Sequence, residues 1–210
     1  MRLKVGFVAI LIGVLLSGSA GASVIYDNGA SVLNFGALGS SGLFPAADNF
    51  ILAEGFTTIT DIHWSGFYLE GAPSDSFTVY IYGDDGGSPG AAPLHTLTDT
   101  VERTDSGLNN TIVFDEYNYV MNIDPLDLSA NTTYWLSIVN DTGEELWFWS
   151  FSDLEDGDAH QKAVSAWVDL DVELAFQLTD DAVVPEPASM TLLGLGLVAF
   201  AVRQRYLRAR

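Results

Sequence analysis

"VSAWVDLDVELAFQL", Val164 to Leu178, decides the fold class. Val164, Ala166, Val168, Leu170, Val172, Leu174, Phe176 and Leu178 share one parity, and Trp167, Asp169, Asp171, Glu173 and Gln177 share the other. A period of two is the strand period, because successive side chains leave opposite faces of the pleat. One apolar face and one wet face describe an antiparallel sheet packed on a core. Fifteen residues are long for one strand, so the stretch is expected to bend or split. The same alternation recurs outward from it. "SFTVYIYG" (Ser76–Gly83) sets Phe77, Val79 and Ile81 against Thr78, Tyr80 and Tyr82, and "TYWLSIVN" sets Tyr134, Leu136 and Ile138 against Trp135, Ser137 and Val139. Further strands are expected at Val24–Asp27, Asn49–Ala53, Thr58–Glu70, Leu94–Val101, Thr111–Met121 and Glu145–Phe151. Turn formers separate them: "GDDGGSPG", "TDSGLNN", "IDPLDLSANT", "NDTGEE" and "LEDGD". About nine short strands with regular turns predict an all-β, two-sheet antiparallel sandwich, jelly-roll or Ig-like.

The chain ends differ from this body. Arg2 and Lys4 precede an apolar run, Val5–Leu16, and then Ala20-Gly21-Ala22. That order predicts a signal peptide over residues 1–22, removed by signal peptidase. At the other end, "VPEPASMTLLGLGLVAFAVRQRYLRAR" runs from Val184 to Arg210. Its 15 uncharged residues Ala188–Val202 would reach about 22 Å as a helix, against a hydrocarbon core of about 30 Å. Arg203 and Arg205 extend the span by lifting their heads to the interface. Arg203, Arg205, Arg208 and Arg210 together hold that end in the cytoplasm and leave the body outside. Pro185 and Pro187 stop the helix from growing toward the body.

Pro185-Glu186-Pro187, a short apolar helix and an arginine-rich end, in that order behind an N-terminal signal peptide, resemble the PEP-CTERM sorting signal of exosortase substrates. The resemblance implies export, transient retention in the inner membrane by the C-terminal helix, and exosortase processing near Pro185, Glu186 and Pro187. A membrane anchor that is never cut is the alternative. The body is similar to a sandwich domain of bacterial surface proteins through "DNFILAEGFTTITDIHWSGFYLEG", "FTVYIYGDDGGSPG", "LSANTTYWLSIVN" and "LAFQLTD". The division is then a signal peptide (1–22), a sandwich (23–179), a linker (180–184) and a sorting signal (185–210).

Charge excludes whole classes of partner. The chain carries 28 acidic residues against eight Lys and Arg, with three His and a net charge of −20. Only Glu186 among the acids lies outside the body, and only Arg103 and Lys162 among the bases lie inside it, so the body alone is near −25. Such a surface repels phosphate and argues against nucleic acid. It favours solubility in a saline exterior, and could attract divalent cations. With no cysteine, thiol catalysis, Cys-ligated zinc and iron–sulfur chemistry are excluded.

No catalytic constellation is legible. His63, His95 and His160 show no paired metal spacing, and no GxSxG occurs. Carboxylates abound, so a glycosidase-like pair is expected by chance alone. "DLEDGDAH" crowds Asp153, Glu155, Asp156 and Asp158 around a glycine, a candidate calcium loop that lacks the EF-hand glutamate. "ELWFWSF" puts Leu146, Phe148 and Ser150 on one face and Trp147, Trp149 and Phe151 on the other, so both faces are apolar. Trp147 and Trp149, joined by Trp64, either fill the core or offer a platform for sugar rings. The expectation is an exported, non-enzymatic surface or matrix protein, structural or adhesive in an exopolysaccharide or biofilm layer, with no cofactor beyond a structural calcium. A carbohydrate-binding module on the Trp147/Trp149 strand is the second reading, and a secreted hydrolase the third.

Overall fold

The computed structural model describes residues 22–32, 36–69, 74–109, 114–142, 146–154 and 157–181. They form thirteen strands in chain order: β1 (Ser23–Asp27), β2 (Ala37–Gly39), β3 (Ala46–Ile51), β4 (Thr58–Tyr68), β5 (Phe77–Gly83), β6 (His95–Leu97), β7 (Val101–Asn109), β8 (Asp115–Asp127), β9 (Thr133–Asn140), β10 (Trp147–Ser150), β11 (His160–Ala163), β12 (Ala166–Asp169) and β13 (Phe176–Asp180). Every pairing between them is antiparallel. One sheet has seven strands and the other six, the latter in the order β12-β11-β3-β9-β5-β6. The protein is thus an all-β sandwich, as the alternation predicts.

The long strand β4 organises the seven-stranded sheet. Along one edge it pairs with β8 from Thr58 to Phe67, and β7 extends the sheet beyond β8. Along its other edge it pairs first with β13, at Asp61–Trp64, and then with β10, at Gly66–Tyr68. β1 continues outward from β13, and β2 from β10. The residues of β4 that face inward, Ile62 and Trp64 among them, meet Phe50, Ile81, Leu136 and Trp149 in one apolar cluster. Burying each such side chain is worth about 1.5–3 kcal/mol, which is why the parity of these strands is fixed.

The 164–178 stretch splits. β12 ends at Asp169, β13 begins at Phe176, and Asp171 between them takes a left-handed φ of 52°. The apolar parity holds only in the second half, where Leu174, Phe176 and Leu178 are core. Val164 is 97% exposed at the tip of the β11–β12 hairpin with φ 57°, and Val168 is also exposed, so these two depart from the expected core face. Glu173, expected on the wet face, is 4% exposed. Its Oε2 accepts from Asn28 Nδ2 at 2.9 Å and its Oε1 from the Asp158 amide at 2.6 Å. The same Asn28 amide bonds Asp48 Oδ2 (3.1 Å), which also accepts from the Leu174 amide (2.6 Å). Asn28 follows β1, Asp48 lies on β3, and Glu173 precedes β13, so this buried polar knot ties the two sheets together. Burial, with Glu173 adding to it, pushes the Asp48 carboxyl well above the usual range.

Two runs of turn-forming residues are strand instead. "TDSGLNN" supplies the end of β7, where the register shifts between Asp105 and Asn109 and Gly107 has φ 72°. The first residues of "IDPLDLSANT" prolong β8 to Asp127, with a register shift opposite Ile59 and Asp61 that accommodates Pro125. In both, pairing with a neighbouring strand overrides local turn preference.

Candidate functional site

The outer face of the seven-stranded sheet carries a groove of about 550 Å³ lined by both polar and apolar residues. Cross-strand register builds it. Asp27, Gln177, His63, Val120 and Glu102 occupy successive strands in one row, because each is paired with the next. Ser65, Asn118 and Thr104 occupy the next row. Side chains of paired residues leave the same face, so the alternation that sends Ile62 and Trp64 inward sends His63 and Ser65 outward. Ser106 and Leu108 of β7, Ala30 and Ser31 after β1, and Glu116 of β8 complete the wall.

Hydrogen bonds set the orientation of each polar group. Ser65 Oγ donates to Asn118 Oδ1 at 2.9 Å, which leaves the Asn118 amide nitrogen as a donor. Gln177 Nε2 donates to Asp27 Oδ2 at 3.2 Å, which leaves Gln177 Oε1 as an acceptor. His63 is fixed by a relay. Thr60 and Thr179 both donate their hydroxyl protons to Asp61 Oδ2, at 2.8 and 3.0 Å. The Thr179 hydroxyl proton is therefore spent, and at 3.2 Å its oxygen accepts from His63 Nε2. The tautomer follows: Nε2 carries the proton and Nδ1 is a lone-pair acceptor. Burial lowers the His63 pKa from 6.5 against the opposing pull of Asp61, so the ring is neutral at pH 7. Glu116, 1% exposed at the groove floor, is held by the hydroxyls of Ser31 and, at 2.7 Å, Ser150.

The tryptophans lie elsewhere. Trp147 and Trp149 are fully buried, and Trp64 turns its ring into the core to stack on Tyr119 at 5.6 Å and 11°. Of the two alternatives for these residues, core filling is the one the structure shows: their rings pack inside and form no flat platform at the surface. The opposite face of β10 does carry an aromatic row. Phe148 stacks on Phe67 at 5.6 Å and Phe67 on Phe114 at 5.7 Å, so the Phe67 ring lies between two others. Of the candidate calcium ligands, Asp153 accepts from the Ala30 amide at 2.8 Å and Asp158 from Asn49 Nδ2 at 2.8 Å. Glu155 and Asp156 lie outside the described residues, and among the described residues no three His, Cys, Asp or Glu are grouped to hold a metal. Asp153 instead borders a second cavity of about 480 Å³ with Asp171 and Glu173.

The signal peptide, Pro185–Pro187, the C-terminal apolar run and the four arginines lie outside the described residues. Among the described residues, no helix is long and apolar enough to cross a membrane. A comparison with protein families matches residues 183–205 to the PEP-CTERM protein-sorting motif. The chain carries a PEP-CTERM sorting signal. Its match covers the proline-glutamate-proline triplet, the whole apolar run and the first two arginines of the cluster. Neither the curated proteins nor the solved structures hold a significant match to the chain. The PEP-CTERM motif makes the protein a substrate for exosortase sorting and so for export; the groove is a property of the body that the motif delivers. Sequence reasoning missed the groove because its residues come from β1, β4, β7, β8 and β13, none of which is polar in a distinctive local pattern. The outward parity of "TDIHWSG" was the available signal.

Proposed function

We propose that the delivered body is a non-catalytic structural or adhesive protein of the cell surface or extracellular matrix, in contact with exopolysaccharide. The observation that carries the reading is the sorting motif at 183–205 behind an acidic β-sandwich. A body near −25 stays soluble and unaggregated in a crowded, saline exterior. Both body cations are used internally: Arg103 binds Asp75 at 3.1 Å and lies 5.0 Å from the Tyr117 ring centroid, and Lys162 lies 5.4 Å from that of Trp167. Among the described residues, the polar groups left at the surface are thus mainly carboxylates, hydroxyls and amides. At the groove floor, Glu116 is buried between two serine hydroxyls, an arrangement for holding a strand junction and not for proton transfer to a ligand.

The test is intact-mass analysis of the protein recovered from its native host, with a Glu186→Ala variant beside it. Expected is a polypeptide that lacks both ends, found outside the inner membrane, and a variant retained in the membrane with its C-terminal arginines. A wild-type chain found in the cytosol with Met1 and Arg210 both present would overturn the reading.

A further inference from the structure

We infer that the groove on the outer face of the seven-stranded sheet is a binding site for a neutral polysaccharide, gripped by Asn118, Gln177 and His63. This deepens the adhesive reading above and rests on it. The groove is open; its longer row crosses five strands and its shorter row three, and four steps of roughly 4.8 Å make the longer row about 19 Å. An extended chain fits that length better than a compact cofactor does.

The chemistry of the walls selects the ligand class. Each of the three gripping groups already spends one side on a protein partner and leaves the other to a ligand. Asn118 Nδ2 donates, while Gln177 Oε1 and His63 Nδ1 accept. Asp27 and the Thr104 hydroxyl flank them on the same rows. Sugar hydroxyls both donate and accept, so they match a wall of mixed, pre-oriented donors and acceptors. Because the protein side chains are held by neighbours, little rotamer entropy is lost on binding.

Charge excludes the alternatives. Among the described residues no lysine or arginine lines the groove, and Asp27 and Glu116 are both carboxylates. Phosphate, sulfate or uronate groups would enter against the field of the body with no cation to meet them.

The test uses the full chain in detergent, titrated calorimetrically with soluble β-glucan and galactomannan, and with polygalacturonate as the acidic counterpart. Expected is saturable binding to at least one neutral polymer and none to polygalacturonate. Asn118→Ala combined with Gln177→Ala removes two hydrogen bonds and should weaken binding at least tenfold. Asn118→Asp keeps the shape and turns the donor into an acceptor, so it should weaken binding too, and it guards against a fold defect in the double variant. Thr78→Ala, on the outer face of the other sheet, should bind as the parent does. Binding to neither neutral polymer, equal binding to polygalacturonate, or folded groove variants that bind as tightly as the parent would each overturn the proposal. A chain that binds glucan but stays in the host cytosol would sink the sorting-based reading and leave the groove standing. The reverse result would sink only the groove.

Discussion

Trp147 and Trp149 lie two residues apart on β10 and are both fully buried, but they differ in one bond. Trp149 Nε1 donates to the Ala175 carbonyl at 2.9 Å. Trp147 Nε1, equally buried, makes no hydrogen bond of normal geometry. Replacing each with phenylalanine deletes the same atoms from the same core. Both variants lose apolar contact and gain a small cavity, about 1–2 kcal/mol each, less than the 3–5 kcal/mol of full truncation to alanine. Trp149→Phe also strips a buried carbonyl of its donor, which costs a further 1–3 kcal/mol. Trp147→Phe removes a buried N–H that gained nothing, so part of its loss is offset. Its edge-on contacts with Phe77 (5.0 Å) and Tyr119 (6.0 Å) can persist with a smaller ring. Trp149→Phe is therefore expected to be less stable than Trp147→Phe by about 1–2 kcal/mol. Urea denaturation followed by tyrosine and remaining tryptophan fluorescence measures both, with equal slopes required for a fair comparison. Equal losses, or a larger loss for Trp147→Phe, would refute the account of this strand as hydrogen-bonded core. Wild-type stability in either variant would revive a surface role for the tryptophans.

The buried carboxyl knot predicts a pH slope. The raised pKa of Asp48 means the folded state keeps a proton that the unfolded chain has lost above about pH 3.8, so stability falls as pH rises through the folded value. Glu173→Gln removes the second cause of that rise and leaves burial, so the fall between pH 4 and 7 should become shallower, even though one hydrogen bond to Asp158 or Asn28 is lost. Urea midpoints at pH 4, 5, 6 and 7 read this, and an unchanged slope would contradict it. Gly66→Ala should lower stability by about 1–3 kcal/mol or more, because a Cβ there would overlap the Trp147 ring and the Phe148 carbonyl oxygen. Gly39→Ala, whose Cβ would meet the Phe148 ring at an ordinary 3.5 Å, should stay within about 0.5 kcal/mol of the parent in the same assay.

Local pattern and long-range pairing contributed differently. The parity of Phe77, Val79 and Ile81, of Tyr134, Leu136 and Ile138, and of Leu174, Phe176 and Leu178 was readable because a strand must bury one face wherever a core exists. The sorting motif was readable because an address is carried by contiguous residues and needs no fold. The same alternation misled at Val164 and Val168, where the chain turns back on itself and no second sheet covers the face. "TDSGLNN" and "IDPLDLSANT" look like turns by composition, yet β8 recruits part of each into the sheet.

By itself, the sequence determined the all-β class, the acidic surface and the delivery route, since each follows from residue type, period or contiguous order. Only the tertiary structure decided that the tryptophans of β10 face inward, that Glu173 is buried beside Asp48, and that His63, Asn118 and Gln177 share one groove. The reason is that a face of a sheet is assembled across strands. Parity along one strand says which residues go together, but which face is covered depends on segments more than a hundred residues away.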